Sequence, residues 1–145
     1  MDGVILVAVI VIGIVAVVVG LVVWRIWKRT QTNVEYINTR LQIRGANFFG
    51  QQSKGMMQMR GNGIFTLTGD TIYFDMWIPA NHFEIPLSKI TGIETPRSFL
   101  GKTVLYPLLQ INFQNDAGEA DAIAWWLRDV ESVKGAVEAA KAEQR

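Results

Sequence analysis

The sequence predicts an N-terminal transmembrane α-helix, then a mainly-β domain of six to seven antiparallel strands. The strands bend into a partly open barrel that a C-terminal α-helix caps. Three observations carry this expectation. Residues 4–23, VILVAVIVIGIVAVVVGLVV, are twenty apolar residues in a row. From Ala46 the chain alternates apolar and polar residues at the two-residue period of half-buried strands, with Gly, Pro and Asx turns between the runs. From Asp129 the period becomes helical, with Val130, Val133, Val137 and Ala140 on one face.

The first run holds no charge, amide or hydroxyl. At ~1.5 Å per residue, a helix of this length spans about 30 Å, the thickness of a bilayer's hydrocarbon core. Val and Ile favour strands in water, but a strand this long is unknown in globular proteins, and in lipid a helix satisfies its own backbone. A cleaved signal peptide would carry positive charge before a shorter apolar core and a small-x-small site after it. Here the front flank is Met1-Asp2-Gly3, the cations Arg25, Lys28 and Arg29 follow the run, and no Ala-x-Ala site is present. The expectation is an uncleaved anchor over residues 1–29. The cations place its C-terminal end in the cytoplasm and its N-terminus outside, with Trp24 and Trp27 at the interface. Gly13, Ala16 and Gly20 fall roughly on one helix face, a small-residue seam through which two such helices could associate.

Composition narrows the function classes. The 145-residue chain contains no cysteine, which excludes disulfides and thiolate metal sites. Net charge is only +1. Between Arg25 and Arg60, however, the bases Arg25, Lys28, Arg29, Arg40, Arg44, Lys54 and Arg60 face a single acid, Glu35, whereas the part from Gly61 onward is acidic. A basic juxtamembrane stretch suits topology determination and attraction to anionic lipid. An acidic distal domain with aromatics at core-like spacings argues against nucleic-acid binding.

Residues 30–45 read as a juxtamembrane helix or linker. Thr32-x-x-Glu35 fits a capping box, Val34, Ile37 and Leu41 recur at helical spacing, and Gly45 is a plausible stop. The domain then occupies residues 46–145. A β-like stretch begins at Phe48-Phe49. Met56 to Met59 and Ile64 to Thr68 read as strand material around a turn or bulge at Arg60-Gly61-Asn62-Gly63. Thr71 to Ile78 alternates, Pro79-Ala80-Asn81 breaks it, and Pro86 confines His82 to Leu87 to an edge or end. Ile90 to Glu94 follows. Leu108 to Phe113 and Ala122 to Leu127 flank a turn at Asn115-Asp116-Ala117-Gly118. Asp129 is placed to cap a helix over residues 129–144.

Two stretches carry a family resemblance. Gly63-Ile64-Phe65-Thr66-Leu67-Thr68-Gly69-Asp70-Thr71-Ile72-Tyr73-Phe74 resembles the strand pair of GRAM and bacterial pleckstrin-homology (PH)-like domains. Phe83-Glu84-Ile85-Pro86-Leu87-Ser88-Lys89-Ile90-Thr91-Gly92-Ile93-Glu94 is similar to the strand, Ile-Pro-Leu, turn and strand pattern that follows it there. The resemblance covers roughly residues 46–142 and implies a bacterial single-pass protein with a cytoplasmic PH/GRAM-like domain. Its motifs mark turns and core positions and specify no chemistry. PH domains that bind phosphoinositides carry a basic run in the first strand pair. Here Lys54 and Arg60 match its ends and are the candidate headgroup contacts, while Gln58 stands in place of the middle base.

No catalytic constellation, cofactor fingerprint or P-loop is legible. His82 is the one histidine. Glu84 and Glu94 lack a matching acid–base environment. Asp116, Glu119 and Asp121 gather on a turn without EF-hand spacing, which favours a solvated acidic turn over a calcium site. The adjacent Trp125 and Trp126 must point to opposite faces of a strand, so Trp126 is a candidate interface anchor. Phe99 lies in the apolar-rich link Ser98 to Pro107 and is a second candidate. The expected function is a membrane-anchored, non-enzymatic interaction module, a scaffold or accessory subunit at the inner leaflet. It needs no cofactor or metal, and its partners are the membrane and another membrane or cytoplasmic protein. Anionic-lipid sensing by Lys54 and Arg60, and a small enzyme built on His82, are the alternatives.

Overall fold

The computed structural model describes residues 2–30 and 35–144. The chain divides into two compact units, Met1–Asn33 and Val34–Arg145. The first is one helix, α1 (Asp2–Thr30), whose segment Gly3–Lys28 is long and apolar enough to cross a membrane and has no buried residue. The Lys28 ammonium lies 5.3 Å from the ring centroid of Trp24, one helical turn earlier. Thr32 of the expected capping box, Val34 and the Arg29 side chain lie outside the described residues.

The second unit is a seven-stranded antiparallel sheet. Its strands are β1 (Leu41–Gln51), β2 (Gly61–Leu67), β3 (Thr71–Met76), β4 (Asn81–Pro86), β5 (Ile90–Glu94), β8 (Leu109–Gln114) and β9 (Ala120–Trp126). Between β5 and β8 a small separate hairpin is formed by β6 (Ser98–Phe99) and β7 (Lys102–Thr103). The sheet order is β4-β3-β2-β1-β9-β8-β5, so the central β1 joins a four-stranded meander to the three strands that follow. Helix α2 (Val130–Ala142) comes last, and the side chain of Asp129 accepts from Ser132 N at its start, the cap that the sequence predicts.

The core lies between the inner face of the bent sheet and α2. Trp125, Phe65 and Phe74 form its centre, with Trp125 edge-on to Phe65 at a centroid distance of 5.3 Å. Val130, Val133, Val137 and Ala140 insert from α2. Burying a Val side chain contributes roughly 1.5–3 kcal/mol, so this stripe explains why the helix forms and where it docks.

Three expectations are corrected. Leu41–Gly45 belongs to a strand and not to a juxtamembrane helix, since Leu41 and Ile43 pair with Leu67 and Phe65 of β2. Gly45 marks a bulge between Arg44 and Ala46, where its φ of +81° suits glycine. Met56 to Met59 is an exposed loop, whereas Gly61–Gly63, expected as a turn, opens β2. Gly63 is required there by close packing: a Cβ at this position would stand 2.2 Å from Asp75 O.

Candidate functional site

The outer face of the sheet, away from α2, carries a second apolar cluster. Alternation along β9 sends Ile123 and Trp125 inward and Ala122, Ala124 and Trp126 outward. On β1 the register against β9 slips between Phe48 and Gly50. Phe48 stays in the main core and Phe49 turns to the other face. Phe49, Phe99, Leu108, Ala122 and Ala124 pack together there, with Leu100 and Val104 against them. The small side chains of Ala122 and Ala124 let the β6–β7 hairpin sit close to the sheet. Phe99 is thus a core residue of this cluster, 7% exposed, and not an outward anchor. In the same link, Leu105 and Tyr106 are the exposed apolar residues.

Trp126 remains 38% exposed at the rim of this cluster. Asn47 faces it across β1–β9 and Asn62 continues the row across β1–β2. These three residues, with Phe49, Val104 and Arg60, line an open groove of about 290 Å³. The Arg60 guanidinium stacks on the Phe49 ring, 3.8 Å from its centroid. Asn47 Nδ2 donates to Asn62 Oδ1 at 2.8 Å. Met56, Met57 and Met59 are exposed in the β1–β2 loop, and Lys102 Nζ donates to Met56 O, tying this loop to the hairpin.

Lys54 and Arg60 do not converge. Lys54 lies 5.9 Å from the ring centroid of Phe83, a residue packed against the main core, while Arg60 sits on Phe49 on the outer face. Gln58 makes a different contribution from the base it replaces. Its amide accepts from Gln51 N and donates to Gln51 O and Gly55 O, completing the backbone bonding of the loop. A second cleft, about 230 Å³, opens near Lys54 and is lined by Phe83, Ile85, Phe113 and Ile123 with His82, Lys89 and Asp116 among its polar residues.

The acidic turn is dispersed. Lys89 pairs with Asp116 and holds its carboxyl below the usual carboxylate range. Asp121 is buried beneath β1, where it accepts from Gln51 Nε2, Ser53 N, Ser53 Oγ and Ala122 N. Burial alone would raise its pKa, but these donors outweigh burial and lower it. No group of three His, Asp or Glu side chains that could hold a metal occurs among the described residues.

His82 belongs to a network that local patterning does not reveal. Asp75, its partner across β3–β4, receives Tyr36 Oη at 2.8 Å on Oδ2 and lies 2.7 Å from His82 Nδ1 through Oδ1. Tyr36 stacks on Tyr73. This network secures the segment before β1 to the sheet. On α1, a Cβ at Gly13 or Gly20 would meet nothing within 4 Å, and Trp24, Arg25, Trp27 and Lys28 occupy its last turns.

No family model and no curated protein matches the sequence. Solved structures do. The Vps36 N-terminal PH domain aligns with a TM-score of 0.53 and 16% identity over 72% of this chain and 79% of its own. The domain has a PH-like fold. A chain of the 8S snRNP assembly intermediate aligns with a TM-score of 0.60 and 9% identity over 77% of this chain and 87% of its own. The C-terminal domain of a protein of unknown function from Leishmania infantum aligns at 0.54 and 10%, over 72% and 84%. At these identities the likeness is one of fold alone.

Proposed function

We propose that this chain is a bacterial single-pass membrane protein whose PH-like domain is a non-enzymatic interaction module at the inner leaflet. In this reading α1 is the anchor, and Arg25, Lys28 and Arg29 behind the apolar run keep the domain in the cytoplasm. The observation that carries the interaction role is the outer-face groove: an exposed Trp126 beside Arg60 and the Asn47–Asn62 pair, over an apolar floor. Trp and Arg are the residue types most often found as binding anchors. Crosslinking in native membranes tests the reading. Trp126→Ser should remove or weaken a specific adduct that the wild-type domain forms, and an unchanged adduct set would count against this surface.

A second reading, contact with anionic lipid, is favoured by one observation. Met56, Met57 and Met59 are exposed in a loop flanked by Lys54 and Arg60. It expects residues 34–145 to bind phosphatidylglycerol-containing vesicles in a salt-sensitive manner, reduced by Lys54→Ala with Arg60→Ala. No binding at low salt would remove it.

A further inference from the structure

Charge is unevenly compensated over this domain. Arg40, Lys89 and Lys134 are each paired with an acid, Glu143, Asp116 and Glu138 respectively. Around the groove the pattern is different. Arg60, together with Arg97 and Lys102 of the adjoining hairpin, has no carboxylate partner among the described residues. Apart from β9, which supplies Trp126 and carries Asp121, the stretches that build this side, residues 36–69 and 95–115, contain no Asp or Glu. The backbone carbonyl of Arg97 accepts from the N–H of the groove residue Val104. The groove thus combines an apolar floor with a cation, Arg60, that no carboxylate among the described residues compensates.

Its hydrogen-bonding groups are uncompensated too. The Asn47–Asn62 bond leaves Asn47 Oδ1 and the Asn62 amide N–H groups without a protein partner among the described residues. These supply one acceptor and one donor side by side, the pattern a peptide backbone satisfies. A guanidinium stacked on an aromatic ring keeps its in-plane donors for a carboxylate. The volume of about 290 Å³ is at the lower limit of small-molecule pockets, and the site is open, which suits one anchoring side chain better than an enclosed ligand. The thioethers of Met56 and Met59 nearby are adaptable contact surface.

Resting on the interaction role proposed above, we infer that the groove takes an acidic segment of a partner protein that inserts one aliphatic or aromatic side chain beside Trp126 and places a carboxylate on Arg60. The test uses the full chain in isolated native membranes, with a photoreactive benzophenone side chain at the exposed Leu105, next in the chain to the groove residue Val104, and, as control, at Ala117 on the β8–β9 turn. Sequencing the adducts reads the chemistry of the occupant. The expected result is a protein adduct formed from Leu105 and not from Ala117, on a segment with several Asp or Glu around an apolar residue. Its yield should fall about tenfold with Arg60→Gln, with Trp126→Ala and at high salt, while melting curves show both variants folded. A groove adduct on a basic or uncharged protein segment, or one insensitive to Arg60→Gln, overturns the acidic assignment and leaves the interaction role standing. Adducts to lipid alone, to a second copy of this chain, or none specific to Leu105 overturn both.

Discussion

Tyr36 lies face to face with Tyr73, ring centroids 4.0 Å apart and planes 6° from parallel, and its hydroxyl donates to Asp75 Oδ2 at 2.8 Å. This pair fixes the end of the segment between α1 and β1 to the outer face of β3. Tyr36→Phe keeps the stack and loses the hydrogen bond, at a cost of about 1 kcal/mol. Tyr36→Ala should lose a further ~0.5–1.5 kcal/mol of aromatic contact. Urea denaturation of residues 34–145 at neutral pH measures both, and equal stability of all three proteins would refute the role.

The same residue predicts an alkaline limit. Burial, then the hydrogen bond to Asp75 and the negative charge nearby, push the Tyr36 pKa upward. The folded state therefore holds this proton more tightly than the unfolded chain. Its contribution is complete below the ordinary tyrosine value of about 10 and is lost as pH rises from there toward the higher folded value. Stability of the wild type should fall more steeply between about pH 9.5 and 11 than that of Tyr36→Phe, and parallel profiles would contradict this.

Asp121 sets the acid limit. Its pKa is lowered in the folded state, so the stability it contributes is present above the unfolded value of about 3.9 and disappears as pH falls through the lower folded value. Asp121→Ala strands the Ser53 and Gln51 donors that meet on this carboxylate and should cost about 2 kcal/mol at neutral pH. Stability of the wild type should therefore fall more steeply below about pH 4 than that of Asp121→Asn, and parallel acid profiles would contradict this.

How much of this the sequence revealed depends on whether the signal was local. The apolar run of α1 is long enough to specify a helix, and α2 combines a cap with a clear stripe at Val130, Val133 and Val137. Leu41 was ambiguous: with Ile37 it matches a helix, with Ile43 a strand, and the pairing to β2 decides. Gly45 signalled a positive φ correctly, but a helix stop and a bulge both use one. Met56 to Met59 shows the opposite failure, because an apolar pattern does not specify burial. At the groove, alternation separated Trp125 from Trp126, and the burial of Trp125 decides that Trp126 is the outward one. The Phe49–Arg60 stack depends on a bulge, and the Tyr36–Asp75–His82 network joins residues far apart in the chain, so neither leaves a periodic trace.

Two glycines should respond in opposite directions. A Cβ at Gly63 would approach Asp75 O to 2.2 Å and Phe74 Cζ to 2.8 Å, so Gly63→Ala must separate β2 from β3 and should destabilise by roughly 1–3 kcal/mol. Gly135 lies exposed in α2 with nothing within 4 Å of a Cβ, and Gly135→Ala should stabilise by roughly 0.5–1 kcal/mol. Thermal melts of the two variants against wild type decide the matter, and a shift of the same sign in both would contradict the packing described.

Phe99 and Trp126 separate stability from binding. Phe99 is enclosed by Phe49, Leu108, Ala122 and Ala124, so Phe99→Ala should cost roughly 3 kcal/mol and loosen the β6–β7 hairpin. Trp126 stands at the groove's rim with its partner Trp125 holding the core, so Trp126→Ala should cost about 1 kcal/mol or less. Denaturation midpoints read the first effect, and crosslinking to the domain reads the second. Loss of adduct in Trp126→Ala at nearly unchanged stability assigns the groove to recognition. If Trp126→Ala instead destabilises as much as Phe99→Ala, the tryptophan is part of the outer cluster's packing and the groove loses its anchor.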